Sequence, residues 1–257
     1  MDVTFPAGGY HFRLIRPPHP LDEPTQGAIT QLVDREIREV GFQITEDALR
    51  TYRRYRYVTL ALQKGKLIAF HGMEISPQGH DSLANLGALY VEAGTAGVLG
   101  QTLIALNLLP YLLRHPLKKL GWYTLTRSPR VVAAGRRWLH PFYPDLSGGT
   151  PPPSSLLGLV QYDLEQRGEG LINPIYLTLD PPRPELGWKP VPLPEQAWCR
   201  DEVVNTWMRS ALGPAGDRRV VVMGETSLPE VIRVLRRTLS RREVSTATKH
   251  TVTSSHR

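Results

Sequence analysis

The chain has 257 residues, 41% hydrophobic and 21% charged, which is the composition of a folded globular protein and leaves room for one large domain or two small ones. A single cysteine, Cys199, excludes an internal disulfide framework and any cysteine-rich zinc or iron–sulfur site, and no metal site is expected. The formal charge is +7, but residues 233–257 hold seven Lys or Arg and one Glu, a net of +6, which leaves +1 for residues 1–232.

In chain order, residues 10–16 alternate and read as a strand closed by Pro17-Pro18. Ile29, Leu32, Val33, Ile37 and Val40 recur at helical spacing up to Gly41, and Thr45-Glu46-Asp47-Ala48 opens a second short helix. Residues 57–62 and 67–75 are two β-rich runs around Gln63-Lys64-Gly65-Lys66, a hairpin. A third strand covers 83–92. A turn, Gly94-Thr95-Ala96-Gly97, leads into a long apolar helix to about Arg114. A strand over 122–126 meets Ser128 at an N-cap position and Pro129 at the first position of the next helix, along which Val131, Val132, Gly135 and Trp138 lie.

After His140 the prolines and glycines of 141–153 make a loop, and Ser154-Ser155 caps a helix over 156–166. Residues 175–179 and 219–224 read as strands. The six-proline stretch 180–194 must be extended, because proline fixes φ and cannot continue a helix. Residues 201–212 form a helix with Val203, Val204, Trp207 and Leu212 inward, and a last helix uses Leu228, Val231, Ile232 and Leu235. Beyond Arg241 the Ser/Thr-rich basic segment has too little apolar surface to order itself.

The longest apolar run, 98–113, is interrupted by Gly100, Gln101, Asn107 and Pro110, short of the ~18 residues of a membrane span. The start, Met1-Asp2-Val3-Thr4-Phe5-Pro6, lacks the basic flank and apolar segment of a signal peptide, so a cytoplasmic protein is expected. The basic tail carries no interleaved aromatics, so a nucleic-acid-associated protein that uses this tail is the weakest of the alternatives for the chain.

A three-stranded meander joined to a β-α-β crossover gives an α/β fold with a mixed, mainly antiparallel sheet and helices on both faces. With the hairpin 58–75, the strand Gly87-Ala88-Leu89-Tyr90-Val91 set directly before a glycine turn, and Tyr123-Thr124-Leu125-Thr126-Arg127-Ser128-Pro129 opening a helix, residues 10–140 resemble the GNAT acyltransferase superfamily. The resemblance implies one GNAT-like domain over 1–232, with a core at 10–140 and a Pro-rich C-terminal elaboration at 141–232, followed by the basic helix end and tail at 233–257. It implies transfer of an acyl group from coenzyme A to an amine or similar nucleophile of a small-molecule or protein acceptor. Its cofactor-binding residues would be Tyr90, Val91, Gly94, Ala96, Gly97, Val98, Gly100 and Ser128: a splayed strand at Val91 offers backbone groups to pantetheine, and the next helix offers its free amides to the pyrophosphate.

The family's loop, Q/R-x-x-G-x-G/A, is degenerate here. Gly97 fits the first glycine, Leu99 stands where the second is expected, and no Gln or Arg opens the motif. The acid tyrosine common in the family falls near Gly135 and is missing. Glu92, at the strand end, is the candidate base and Tyr143 a substitute acid, with the oxyanion held by a backbone amide near Val91. His71 and Glu74, three apart on one strand and so on opposite faces, are candidates for lining the acceptor pocket. For Glu92 the alternative is a solvated strand end, for Ser128 a helix cap, and for the whole chain a non-catalytic member of the fold that binds a ligand or partner in the cleft.

Overall fold

Glycines at two tight turns start the sheet. The computed structural model describes residues 2–16, 21–39, 42–44, 55–78, 81–92, 95, 98–146, 150–180, 188–190, 193 and 195–237. β1 (Asp2–Ala7) pairs with β2 (Tyr10–Ile15) across Gly8 and Gly9, both at positive φ, a two-residue hairpin that was not expected from the sequence. α1 (Glu23–Glu39) and β3 (Phe42–Ile44) follow, and the second short helix expected at 45–48 lies outside the described residues. The predicted hairpin is present as β4 (Tyr57–Gln63) and β5 (Lys66–Gln78), turned by Lys64 and Gly65 at φ 50° and 79°.

The strand expected over 83–92 is two strands, β6 (Asp81–Asn85) and β7 (Leu89–Val91). Both pair antiparallel with β5, but only β6 pairs with β8 (Leu120–Thr126), in the single parallel register of the main sheet. α2 (Val98–Arg114) makes the crossover between them. The remaining elements are α3 (Pro129–Trp138), β9 (Phe142–Tyr143), α4 (Ser154–Gln166), β10 (Thr178–Leu179), β11 (Trp188–Pro190), a 3-10 turn at Glu195–Ala197, α5 (Glu202–Leu212), β12 (Arg219–Thr226) and a helix over 228–237. The ten-stranded sheet runs β1-β2-β4-β5-β6-β8-β12-β10, with β7 on β5 and β9 on β12, while β11 pairs with β3 in a separate two-stranded sheet. This is the mixed, mainly antiparallel α/β fold that the order of elements implied.

Several local expectations change. The strand read at 175–179 shrinks to β10, since Asn173 accepts from the amides of Ile175 and Tyr176 and turns the chain there. Ser154 and Ser155 lie inside α4, with Pro153 at the cap position. Val203 points outward, 59% exposed; Val204, Met208, Ala211 and Leu212 make the inward stripe of α5, which Asp201 caps through the amides of Val203 and Val204.

One face of the sheet is covered by α2, with α5 and the 228–237 helix packing into the same core around Phe12, Ala69, Met73 and Trp122. On the other, α1 packs on Val58, Leu60 and Phe70, and α4 on Leu83, Tyr123 and Val221. α2 is tied to the sheet by polar contacts as well. Pro110 has no amide to return to the Leu106 carbonyl one turn earlier, and Arg16, buried at the end of β2, donates to that carbonyl at 3.2 Å and to the Val58 carbonyl at 2.8 Å. Next along the helix, Asn107 accepts from the Thr59 hydroxyl at 2.7 Å and donates from Nδ2 to the His71 carbonyl at 3.1 Å and towards His71 Nδ1 at 2.6 Å.

That geometry makes Nδ1 of His71 an acceptor and leaves the proton on Nε2, which has no partner among the described residues. Burial, and then the Arg16 charge, lower the His71 pKa to about 3. An unfolded chain binds this proton near pH 6.5, so stability is complete above pH 6.5 and falls as pH drops from there towards 3. In urea titrations at pH 7 and pH 5, the native protein should lose about 2 kcal/mol more than His71→Leu, at ~1.4 kcal/mol per pH unit. Equal losses in the two proteins would contradict the buried neutral imidazole.

Gly135 explains why α3 can lie where it does. A Cβ there would sit 2.1 Å from the Phe142 ring, which itself packs near Trp122. Gly135→Ala should therefore destabilise by about 1–3 kcal/mol through overpacking. Gly158→Ala, on an exposed face of α4 with nothing within 4 Å, should instead stabilise by up to ~1 kcal/mol. Thermal melts of both variants test the opposite signs.

Candidate functional site

The site begins where β7 leaves β8. Asn85 still pairs with Tyr123, and the Leu86 amide donates to the Tyr123 carbonyl at 2.8 Å. Beyond that point no strand pairing joins β7 to β8. On β7, the Ala88 carbonyl accepts from Gly72 and the Glu92 amide donates to Ile68, so even-numbered residues face β5. Backbone groups alternate along a strand, so the amides and carbonyls of Leu89 and Val91 face the gap. On β8, Tyr123 faces β6, so Leu125, two residues on, presents its backbone to the same gap from the other side.

The start of α2 sits beside this opening. Gly100 is packed so closely on β7 that a Cβ would lie 3.2 Å from Leu89 Cδ2 and 3.6 Å from Val91 Cγ2. The first turn of α2 contains no acid, and its leading amides have no partner within the helix. Of the turn before it, Thr95 is described, with its hydroxyl and amide both donating to the Glu92 carbonyl; Gly94, Ala96 and Gly97 lie outside the described residues. Opposite, Ser128 takes the N-cap position of α3 but makes no side-chain cap bond, and it is Thr126 Oγ1 that accepts from the Ser128 amide at 3.0 Å.

The fold is a mixed, mainly antiparallel α/β sheet whose two central strands part. The meander, the crossover helix and the parting of the two central strands are the arrangement the resemblance implied. No family model matches the chain, and no curated protein does. Among solved structures, an aminoglycoside acetyltransferase from an uncultured soil metagenomic sample is 18% identical over 42% of this chain and 72% of its own, with a TM-score of 0.33. An N-acetyltransferase from Staphylococcus aureus Mu50 is 12% identical over 52% and 81%, TM-score 0.35. The ribosomal-protein-S5-alanine acetyltransferase from Vibrio fischeri is 11% identical over 53% and 81%, TM-score 0.39. At these values the likenesses describe shared elements and say nothing of activity.

The residues singled out in the sequence fall in different places. Val91 borders the gap through its backbone; the Tyr90 side chain lies on the other face, against the α1 core. Glu92 is ion-paired with Lys66, and Arg35 of α1 lies 3.7 Å from it, so two cations flank the carboxylate. His71 corrects an expectation: it is fully buried between the sheet and α2, held by Asn107, and lines no acceptor pocket. Its strand mate Glu74 faces the opposite side, as the spacing required, and is bonded to Arg167 at 2.6 Å. Tyr143 lies 9% exposed in the core beneath α4, on β9 beside Met223. Near Gly135, where the family's acid tyrosine falls, the space belongs to the Phe142 ring.

A polar network beside the apex of the gap had not been expected. Tyr123 donates to Asp163 Oδ2 at 2.6 Å, Arg167 Nε donates to the same oxygen at 2.7 Å, and Arg167 Nη1 reaches Glu74 Oε2. Tyr55 stands next to it, its ring between Gly72 and Gly87, where an added Cβ on either glycine would fall within 2.3 Å of the ring. The Tyr55 hydroxyl also has a backbone hydrogen bond with Ala88, and burial, then the Glu74 charge, push its pKa up. For Arg167, burial opposes the charge, and Tyr123, Asp163 and Glu74 outweigh it and keep the guanidinium ionised. The i,i+4 pair Asp163/Arg167 was readable on its helix; its meeting with Glu74, 93 residues away, was not.

Proposed function

We propose that the protein is an acyl-CoA-dependent acyltransferase acting on an amine acceptor, with the gap between β7 and β8 as its cofactor cleft. The observation that carries this reading is the parting of the two central strands, which turns the backbone of Leu89 and Val91 towards Leu125 across an opening. A pantetheine arm is a chain of amides, and a strand edge with outward amides and carbonyls is its natural hydrogen-bonding partner. The pyrophosphate would lie at the first turn of α2, where free amides and the helix dipole favour an anion. The thioester carbonyl would then rest against the Val91 amide, which would stabilise the oxyanion as the acceptor nitrogen attacks.

A second reading, a non-catalytic protein of the same fold that keeps a ligand or partner in the cleft, is favoured by the Phe142 ring at the place of the family's acid and by the two cations on Glu92. Isothermal titration with acetyl-CoA and with octanoyl-CoA separates the two. Binding of either thioester, followed by thiol release with an amine, is the expected result. Absence of heat with both would remove the acyltransferase reading. Among the described residues no helix is long and apolar enough to cross a membrane, and no group of His, Cys, Asp and Glu could hold a metal ion, so the reading calls on neither.

A further inference from the structure

We infer that Glu74 is the recognition group for the acceptor, and that the acceptor is an amine of net positive charge. This rests on the acyltransferase reading and deepens it. Glu74 lies on β5 opposite Asn85, the last residue of β6 before the central strand leaves β8, so its carboxylate stands beside the apex of the cleft. The side chain points to the α4 side of the sheet, where Arg167 holds it through Oε2 only. Among the described residues Oε1 has no hydrogen-bond partner, and the side chain keeps 26% of its surface exposed. Tyr55, which senses the Glu74 charge, links this point to the Ala88 backbone, one residue before the Leu89 amide that faces the cleft.

The charge count sets the sign of the ligand. One guanidinium, Arg167, is shared by two carboxylates, Asp163 and Glu74, and the nearby Glu169 is already matched by Arg219 at 2.6 Å. Among the described residues the network is one negative charge in excess. Asp163 takes Arg167 and the Tyr123 hydroxyl on Oδ2 and is 6% exposed against 26% for Glu74, so the excess is presented to solvent at Glu74. An ammonium, or an amine on a cationic scaffold, donating to Oε1 would complete it; a carboxylated amine would be repelled. Arg167, Asp163 and Tyr123 are positioning residues in this scheme, holding the carboxylate at one orientation next to the half-buried Tyr55 ring.

The test compares native protein, Glu74→Gln and Glu74→Asp in thiol release from acetyl-CoA, with spermidine, agmatine and lysine methyl ester as cationic acceptors and glutamate and aspartate as anionic ones. The native protein should prefer the cationic set. Glu74→Gln should raise the acceptor KM about ten- to a hundredfold with a much smaller change in kcat, the loss expected for a charge-assisted bond, and Glu74→Asp should recover part of it. Acetyl-CoA affinity by titration should be the same in all three proteins. If acetyl-CoA binds and anionic amines react while cationic ones do not, or glutamate reacts as well as spermidine, or Glu74→Gln leaves the KM unchanged, the assignment of Glu74 is overturned while the acyltransferase reading stands. Acetyl-CoA binding without thiol release to any amine overturns both. Loss of acetyl-CoA binding by the native protein would instead remove the reading beneath it.

Discussion

Replacing Val91 with proline should lower acyl-CoA-dependent thiol release by about 10²–10³-fold, the loss measured when one oxyanion donor is removed. Proline deletes the amide hydrogen without removing a bond to β5, and it also fixes φ and replaces the valine side chain. The bonds from β7 to β5 run through residues 88, 90 and 92, so the missing hydrogen is the one that faces the cleft. Val91→Ala is the control: it keeps the amide and trims the methyl group that lies 3.6 Å from an ideal Cβ on Gly100. If the two variants turn over at the same rate, the side chain and not the amide matters, and the oxyanion assignment at Val91 fails. Circular dichroism and the melting temperature should show both variants folded.

The largest effect on stability is expected at Asn107, far from the cleft mouth. Asn107→Leu preserves size and helix propensity but leaves the Thr59 hydroxyl and His71 Nδ1 buried without their partner, and removes a donor to the His71 carbonyl. Each abandoned group costs about 1–3 kcal/mol, so a loss of roughly 3–6 kcal/mol is expected, a large part of the ~5–15 kcal/mol that holds a domain together. Adding Thr59→Val to this variant should return part of the loss, since it deletes one of the orphans. Urea unfolding of the three proteins gives the answer. A single-variant loss below about 1 kcal/mol would show that these groups find other partners.

What the chain disclosed about itself follows the range of the forces involved. The hairpin at 57–75 was legible because alternation and a Lys-Gly turn act between neighbours, and the Gly8-Gly9 hairpin carried the same kind of signal, overlooked beside the odd pattern of β1. The division of 83–92 was not legible. Asn85 and Gly87 interrupt the strand-forming run, but a lone glycine marks a bulge as readily as a parting, and Gly87 is matched to a ring from outside the strand, that of Tyr55. The opposite faces of His71 and Glu74 followed from periodicity alone; that the His71 face is sealed by α2 depends on packing across 36 residues. The glycines proposed for phosphate binding at 94 and 97 lie outside the described residues, so the cleft is now argued from the strands on either side of it.

Pro110 gives α2 a fulcrum. A proline inside a helix is ordinarily a point of weakness, because the carbonyl one turn back loses its partner. Here that carbonyl, at Leu106, is the place where Arg16 grips the helix from β2, and Asn107 on the next residue grips β4 and β5. The helix is thus clamped near its middle, at the carbonyl that Pro110 leaves open and at the neighbouring Asn107 side chain. Its first residue, Val98, eight residues or about 12 Å from Leu106, is aimed by that clamp, with Gly100 letting the leading turn settle against β7. Orientation of the amides that would meet the anion is therefore set from the middle of the helix, and a substitution at Arg16 or Pro110 would reach the cleft as a change of angle.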